Sequence, residues 1–140
     1  MMRYMLDTDT SSYIIRKAPV SVVQRLERTA SSGHEIVVSV ITYAELMQGV
    51  VAQGREPERV QRLQAFLAPL HAVLPWDRYA ADAWAQVYTA LKEAGTPIGS
   101  QDTMIAAHAL SAGAVVVTNN VKHFCRVEGL RVENWVDPVS

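Results

Sequence analysis

Three carboxylates stand in stretches otherwise short of charge. Between Tyr4 and Ile15 the only charged residues are Asp7 and Asp9; from Ile36 to Gly54 the only one is Glu45; from Ala94 to Val121 the only one is Asp102. With 19% charged residues overall, windows of that length would ordinarily mix both signs. Burying an unpaired carboxylate costs several kcal/mol, so a chain keeps one where something compensates it. A hydrated divalent cation such as Mg²⁺ or Mn²⁺ is the natural compensation, because hard cations take carboxylate oxygens and water.

Each acid also has a structural explanation when taken singly. Asp9 reads as a helix N-cap, with Thr10, Ser11 and Ser12 competing for that role. Asp102 suits the first turn of a helix, where the macrodipole favours negative charge. Glu45 sits mid-helix among Tyr43, Leu46 and Met47, where a Tyr or Ser hydroxyl would satisfy it, and Asn119-Asn120 reads as an ordinary turn. The conjunction of acids from separate segments is what points to a site.

The elements that must position them alternate. Arg3 to Leu6, Glu35 to Ser39, Ala72 to Leu74 and Ala114 to Thr118 are short apolar runs with the look of buried strands, and Leu130 to Glu133 alternates like an edge strand. Helical patterns lie between them. One runs from Ser12 to Lys17, and a second follows Pro19 with Val22, Val23 and Leu26. Ser39 can cap a third, running through Glu45 to about Val51; Pro57 opens a fourth that Pro69 closes. Asp77 can cap a fifth, ended by Gly95 and Pro97, and Ser100 a sixth, running to Gly113. Strands alternating with helices predict an α/β fold, a three-layer α/β/α sandwich around a mostly parallel sheet of four to five strands. Asp7 would then stand at the carboxyl edge, where ligands bind in open α/β sheets, with Asp102 and Thr118-Asn119-Asn120 opening on the same edge.

Composition bounds the rest. The 140 residues suit one domain, and 49% hydrophobic residues support a buried core. A single cysteine, Cys125, allows neither an intrachain disulfide nor a cysteine-built zinc site. No stretch approaches the roughly 18 apolar residues of a membrane span, and Asp7 and Asp9 interrupt the N-terminal apolar run, so a cytoplasmic location without membrane contact is expected. A net charge of −1 does not advertise nucleic-acid binding, which would depend on a local patch or a metal. Arg55, Arg59 and Arg62 share a helical face, but Glu56 and Glu58 among them favour a solvated face. His108 on an apolar helix reads as packed, and Trp76, Trp84 and Trp135 as core or interface.

Four blocks, LDTDTSSYI, SVITYAELMQGV, PIGSQDTMIAAHAL and VVVTNNVKHFCRVEGLRVENW, resemble those of PIN-domain ribonucleases, and among them the VapC-type toxins of bacterial toxin–antitoxin pairs. The similarity runs in order from about Tyr4 to Trp135. It implies that Asp7, Glu45 and Asp102 are catalytic, metal-binding acids, and it places a fourth polar ligand at Asn120, where many relatives carry Asp. It implies supporting roles for Thr8, Asp9, Thr42, Thr118, Asn119 and Lys122. The activity implied is Mg²⁺- or Mn²⁺-dependent hydrolysis of a structured RNA, tRNA foremost, leaving a 3′-hydroxyl and a 5′-phosphate. The partners implied are a small antitoxin whose tail covers the acidic groove and a second copy of the chain. Two rival readings start from the same residues. Asp7-Thr8-Asp9-Thr10 also resembles the D-x-D motif of haloacid-dehalogenase-type phosphatases, but the downstream Lys of that class has no counterpart between Ala94 and Val121. The other is a PIN-like module that binds RNA or protein without cutting.

Overall fold

A computed structural model describes residues 1–136. Its elements are β1 (Arg3–Leu6), α1 (Thr8–Arg16), α2 (Val20–Ser31), β2 (Glu35–Ser39), α3 (Val40–Ala52) and α4 (Pro57–Leu67). Then come β3 (Ala72–Leu74), α5 (Arg78–Glu93), α6 (Ser100–Ser111), β4 (Val115–Val117), α7 (Val121–Phe124) and β5 (Val132–Glu133). The strands form one sheet in the order β3-β2-β1-β4-β5, and every pairing is parallel.

Strand alternation divides the core between the two faces of the sheet. Met5, Val37 and Val116 point to one side, where they pack with Val87 and Leu91 of α5 and Ile105, Ala106 and Ala109 of α6. Leu6, Ile36, Val38 and Val117 point to the other, where they meet Val22 of α2, Val50 of α3, and Leu63 and Phe66 of α4. Trp135 closes that second layer, its indole N–H donating to Glu133 over 3.0 Å. The three-layer sandwich expected from the sequence is therefore present, with a fully parallel five-stranded sheet.

Several expectations change at the element ends. The first helix starts at Thr8 rather than Ser12, and its N-cap is Asp7, whose carboxylate accepts from the Thr10 N–H at 2.8 Å; Asp9 is a first-turn acid and not the cap. The helix after the Thr96 to Gly99 loop is capped by Gly99 at φ 94°, not by Ser100, which lies inside the helix. The hydroxyl of Thr103 donates to the Gly99 carbonyl at 2.6 Å and holds that turn. The run Ala72–Leu74 is an edge strand with Val73 37% exposed, not a buried one, because β3 has a neighbour on one side only. The run ending at Thr118 pairs only over Val115–Val117, and the last strand pairs only at Val132–Glu133.

Two caps read from sequence are present as expected. Asp77 accepts from the Ala80 N–H at 2.9 Å, and Ser39 accepts from the Ile41 N–H at 3.0 Å. The Ser39 hydroxyl also lies 2.7 Å from His108 Nδ1, joining the start of α3 to α6. His108 is 3% exposed, lies edge-on to Trp76, and is pushed below its ordinary pKa by burial. A buried, neutral His108 fits the packed role expected of it. Ser39→Ala removes a cap and leaves a buried imidazole nitrogen unsatisfied, so it should cost about 1–3 kcal/mol in urea unfolding. Ser100→Ala should change stability by less than about 0.5 kcal/mol, because no cap is lost.

Candidate active site at the carboxyl edge of the sheet

The chain runs outward from β1 to β2 and β3, then returns to place β4 on the other side of β1. The carboxyl ends of β1 and β4 therefore flank the topological switch point, where a crevice opens in sheets of this kind. Asp7 is the first residue after β1, and its N–H donates to Val117 O at 3.0 Å; Thr118 is the first residue after β4, and its N–H donates to Glu133 O at 2.9 Å. Register alone thus fixes Asp7 beside Thr118.

Asp7 is 3% exposed. Burial pushes its pKa up to about 6, against the pull of hydrogen bonds from the Thr118 hydroxyl and from Thr10, while the charge of Asp9 adds to the rise. Thr118 Oγ1 in turn accepts from the Asn120 N–H at 2.8 Å, so one hydroxyl ties Asp7 to the loop carrying Asn120. Asp102 lies in the first turn of α6 and is half-buried. Burial raises its pKa as well; a hydrogen bond from Asn120 and the nearby His123 oppose that rise, and Asp9 again strengthens it. Asp9 itself is exposed, yet its charge is felt by both Asp7 and Asp102. It therefore belongs to the electrostatics of this edge.

Glu45 projects from the second turn of α3 and is tied to the same edge through Thr8. Thr8 Oγ1 lies 2.6 Å from Glu45 Oε1 and 3.3 Å from Thr42 Oγ1. One hydroxyl proton serves one acceptor, so the short contact is the bond to the carboxylate, and the buried Thr42 hydroxyl is left to donate to Thr8. The partner of Glu45 is thus a threonine adjacent to Asp7, not a Tyr or Ser.

The remaining residues separate. Asn120 lies at this edge, but it turns its amide nitrogen, not its oxygen, toward Asp102, with Nδ2 3.4 Å from Oδ2. Asn119 is exposed and its side-chain oxygen accepts from the Asn134 amide at 3.2 Å. Lys122 is exposed on α7. His123, which sequence reasoning did not single out, lies with Nδ1 2.8 Å from Asn120 Nδ2 and 3.9 Å from Asp102 Oδ2. Its spacing of three from Asn120 was the available signal, readable only once Val121–Phe124 is known to be helical. Arg55 stands in the turn before α4, so the three arginines do not share one helical face; Arg59 and Arg62 pair with Glu56 and Glu58 on an exposed face.

Among the described residues no Lys or Arg ion-pairs with Asp7, Glu45 or Asp102, and no three His, Cys, Asp or Glu side chains stand gathered as a ready metal site. The donor chemistry is nonetheless that of a hard cation: carboxylates and hydroxyls, with proton affinity raised at the two acids nearest the switch point. An apolar groove lies elsewhere. It has a volume of about 700 Å³, is walled by Ile14, Val23, Leu26, Phe66 and Leu70, and has Arg16, Lys17 and Arg62 along it.

The chain matches the PIN domain family over residues 4–130. It is 38% identical to the tRNA(fMet)-specific endonuclease VapC of Salmonella typhimurium, covering 96% of this chain and 99% of that one. It is 36% identical to ribonuclease VapC2 of Rickettsia felis, covering 96% and 98%. Among solved structures it superposes on VapBC2 from Rickettsia felis bound to a DNA fragment of its promoter with a TM-score of 0.89, at 35% identity over 96% of this chain and 99% of that chain. The DNA-bound VapBC of Salmonella typhimurium gives 0.87 at 36% identity, with coverage of 96% and 99%.

The Asp7 shift has a measurable sign. Its folded pKa of about 6 lies above the ordinary 3.8, so the folded chain holds a proton the unfolded chain has already lost between those values. The resulting penalty is absent below about pH 4 and complete above about pH 6–7, and amounts to roughly 3 kcal/mol. Asp7→Asn keeps a capping oxygen and removes the charge. In chelator-treated protein it should be more stable than the parent at pH 8 by about 2–3 kcal/mol, with the gain shrinking toward zero near pH 4. Urea titrations at the two pH values measure this, and a variant less stable at pH 8 would contradict the assignment.

Proposed function

The chain belongs to the PIN-domain family and within it to the VapC ribonucleases, and from that premise we propose that it is a divalent-metal-dependent endoribonuclease, the toxin of a toxin–antitoxin pair. The observation that carries the site assignment is Asp7: a buried carboxylate of raised proton affinity at the switch point, with no Lys or Arg among the described residues paired to it. A relative 38% identical is named a tRNA(fMet)-specific endonuclease, which supports a tRNA as the substrate of this chain.

Asp7, Asp102 and Glu45, with Asn120 turned over to present its oxygen, are the residues that would hold Mg²⁺ or Mn²⁺. The bound ion supplies positive charge to the scissile phosphodiester and acidity to the attacking water. The chain's own residues do the rest. Thr118 and the Thr10 N–H hold Asp7 in one orientation. The Thr8 hydroxyl holds Glu45, which is only partly buried and so can take a proton at Oε2 from a water in the crevice. Asp9 keeps the edge anionic, so RNA is repelled until a cation is bound. Lys122, exposed two residues after Asn120, and Arg126, exposed and donating to the Pro97 carbonyl at 3.1 Å, would contact phosphates flanking the cleaved bond.

The antitoxin is the partner this reading requires, and the solved relatives are VapBC complexes. The apolar groove among α1, α2 and α4, with Arg16 and Lys17 along it, suits an amphipathic antitoxin helix with acidic flanks, leaving the antitoxin's tail to reach the acids. A homodimer is also part of the proposal. No helix among the described residues is long and apolar enough to cross a membrane, and a cytoplasmic location accords with the substrate.

The test is cleavage by the partner-free chain. Purified protein with Mg²⁺ or Mn²⁺ should cut tRNA to products ending in 3′-hydroxyl and 5′-phosphate. Asp7→Asn and Asp102→Asn should each lower the rate by at least about 100-fold while circular dichroism stays unchanged. Normal cleavage by Asp7→Asn would remove the site assignment. tRNA bound but left intact by the parent chain would favour the non-cutting module, and hydrolysis of a small phosphate ester with RNA untouched would favour the phosphatase.

A further inference from the structure

Asn120 and His123 lie three residues apart across the start of α7, so their side chains share one face, and that face looks at Asp102. Asn120 Nδ2 stands between two acceptors, 2.8 Å from His123 Nδ1 and 3.4 Å from Asp102 Oδ2. An amide NH₂ carries two donors and no acceptor, so both partners present lone pairs to it. With Asn120 in this orientation, its hydrogen bond falls on the Nδ1 lone pair of His123. A partly positive NH₂ group occupies the point on which a carboxylate oxygen and an imidazole nitrogen already converge.

A cation would draw the same two lone pairs. Adjacent ligand atoms about 2.1 Å from one ion stand roughly 3.0 Å apart in an octahedron and roughly 3.4 Å apart in a tetrahedron. His123 Nδ1 and Asp102 Oδ2 are 3.9 Å apart, so side-chain rotation that draws the two together by roughly 0.5–0.9 Å would bring both to one ion. The Asn120 amide must swing out of the point the ion would take, and turning over as it does so presents its carbonyl oxygen as a ligand in place of a competing NH₂.

We infer that His123 is itself a ligand of the divalent ion, binding through Nδ1 beside Asp102 Oδ2, and that it gives this site a preference for first-row transition ions over Mg²⁺. The inference rests on the metal-dependent reading above and extends it to the identity of the ion. Mg²⁺ favours oxygen donors in a strict octahedron and keeps its water, whereas an imidazole nitrogen is a good donor to first-row transition metals. Carboxylate oxygens alone would not discriminate in that way. The His123 side chain is 39% exposed, so its replacement should leave the fold in place.

The experiment uses Mn²⁺ as a paramagnetic probe on the full, partner-free chain. Pulsed electron paramagnetic resonance of the parent protein should show imidazole ¹⁴N modulation, absent in His123→Gln although Mn²⁺ still binds. By calorimetry, Co²⁺ affinity should fall about tenfold in His123→Gln, while Mg²⁺ affinity changes less than about twofold. Asn120→Ala, which removes the competing NH₂, should retain the nitrogen modulation. Mn²⁺ binding by the parent chain without nitrogen coupling would overturn this inference and leave the metal reading standing. Coupling that persists in His123→Gln would overturn it equally. If the parent chain binds none of the three ions, the metal reading falls and this inference with it.

Discussion

The Asp7 carboxylate has to serve two masters at one point of the backbone. As N-cap of α1 it accepts the Thr10 N–H, and at the end of β1 its own N–H completes the ladder to Val117. Those bonds leave the side chain no freedom to swing into solvent, and the sheet edge around it excludes water. The carboxylate is thereby desolvated by the same contacts that build the fold, and its proton affinity rises as a consequence. An asparagine would cap as well without that penalty. The charge is thus unnecessary to the cap and costly to the folded chain, and a bound cation is what it is suited to.

Sheet order carries this constraint outward. Because β4 returns to the far side of β1, Thr118 arrives beside Asp7, and the loop after it brings Asn120 and His123 to Asp102. Because α3 starts directly from β2, Thr42 and Glu45 stand over the neighbouring strand end and meet Thr8. The Ser39–His108 bond then locks the start of α3 to α6, so the helices bearing Glu45 and Asp102 share a buried polar contact. Residues far apart in the chain are positioned by backbone register and by the hydroxyls of Thr8, Ser39 and Thr118.

Period and charge made much of this legible in the sequence. Strands buried on both faces read as continuous apolar runs, and Met5/Leu6, Val37/Val38 and Val116/Val117 divide between the two core layers as the pleat requires. Acids in uncharged windows stood out for the same reason. What pattern could not show was spatial order: nothing in Ala72–Leu74 says that it has a neighbour on one side only. Caps were ambiguous where several capable residues adjoin, so Asp9 and Ser100 were favoured over Asp7 and Gly99. At Gly99 the deciding feature is a φ of 94°, a backbone property that no side chain at the next position announces. A helix of four residues has no period at all, which hid α7 and with it the approach of His123 to Asp102.

The acids of this edge are not drawn together into an ion-sized cage, and electrostatics explains the spacing. Two carboxylates brought to 4 Å repel by about 4 kcal/mol at an effective dielectric constant near 20. A single hydrogen bond returns only about 0.5–1.5 kcal/mol net. Without a cation, each acid therefore does better with its own neutral donor. Glu45 takes Thr8, Asp102 takes Asn120, and only Asp7, fixed by the backbone, cannot turn away. Each neutral partner is also cheap to surrender, since a threonine hydroxyl and an amide can rotate in place. The edge is thus one rigid carboxylate surrounded by acids held on short, reversible tethers, an arrangement that a divalent charge would collapse inward.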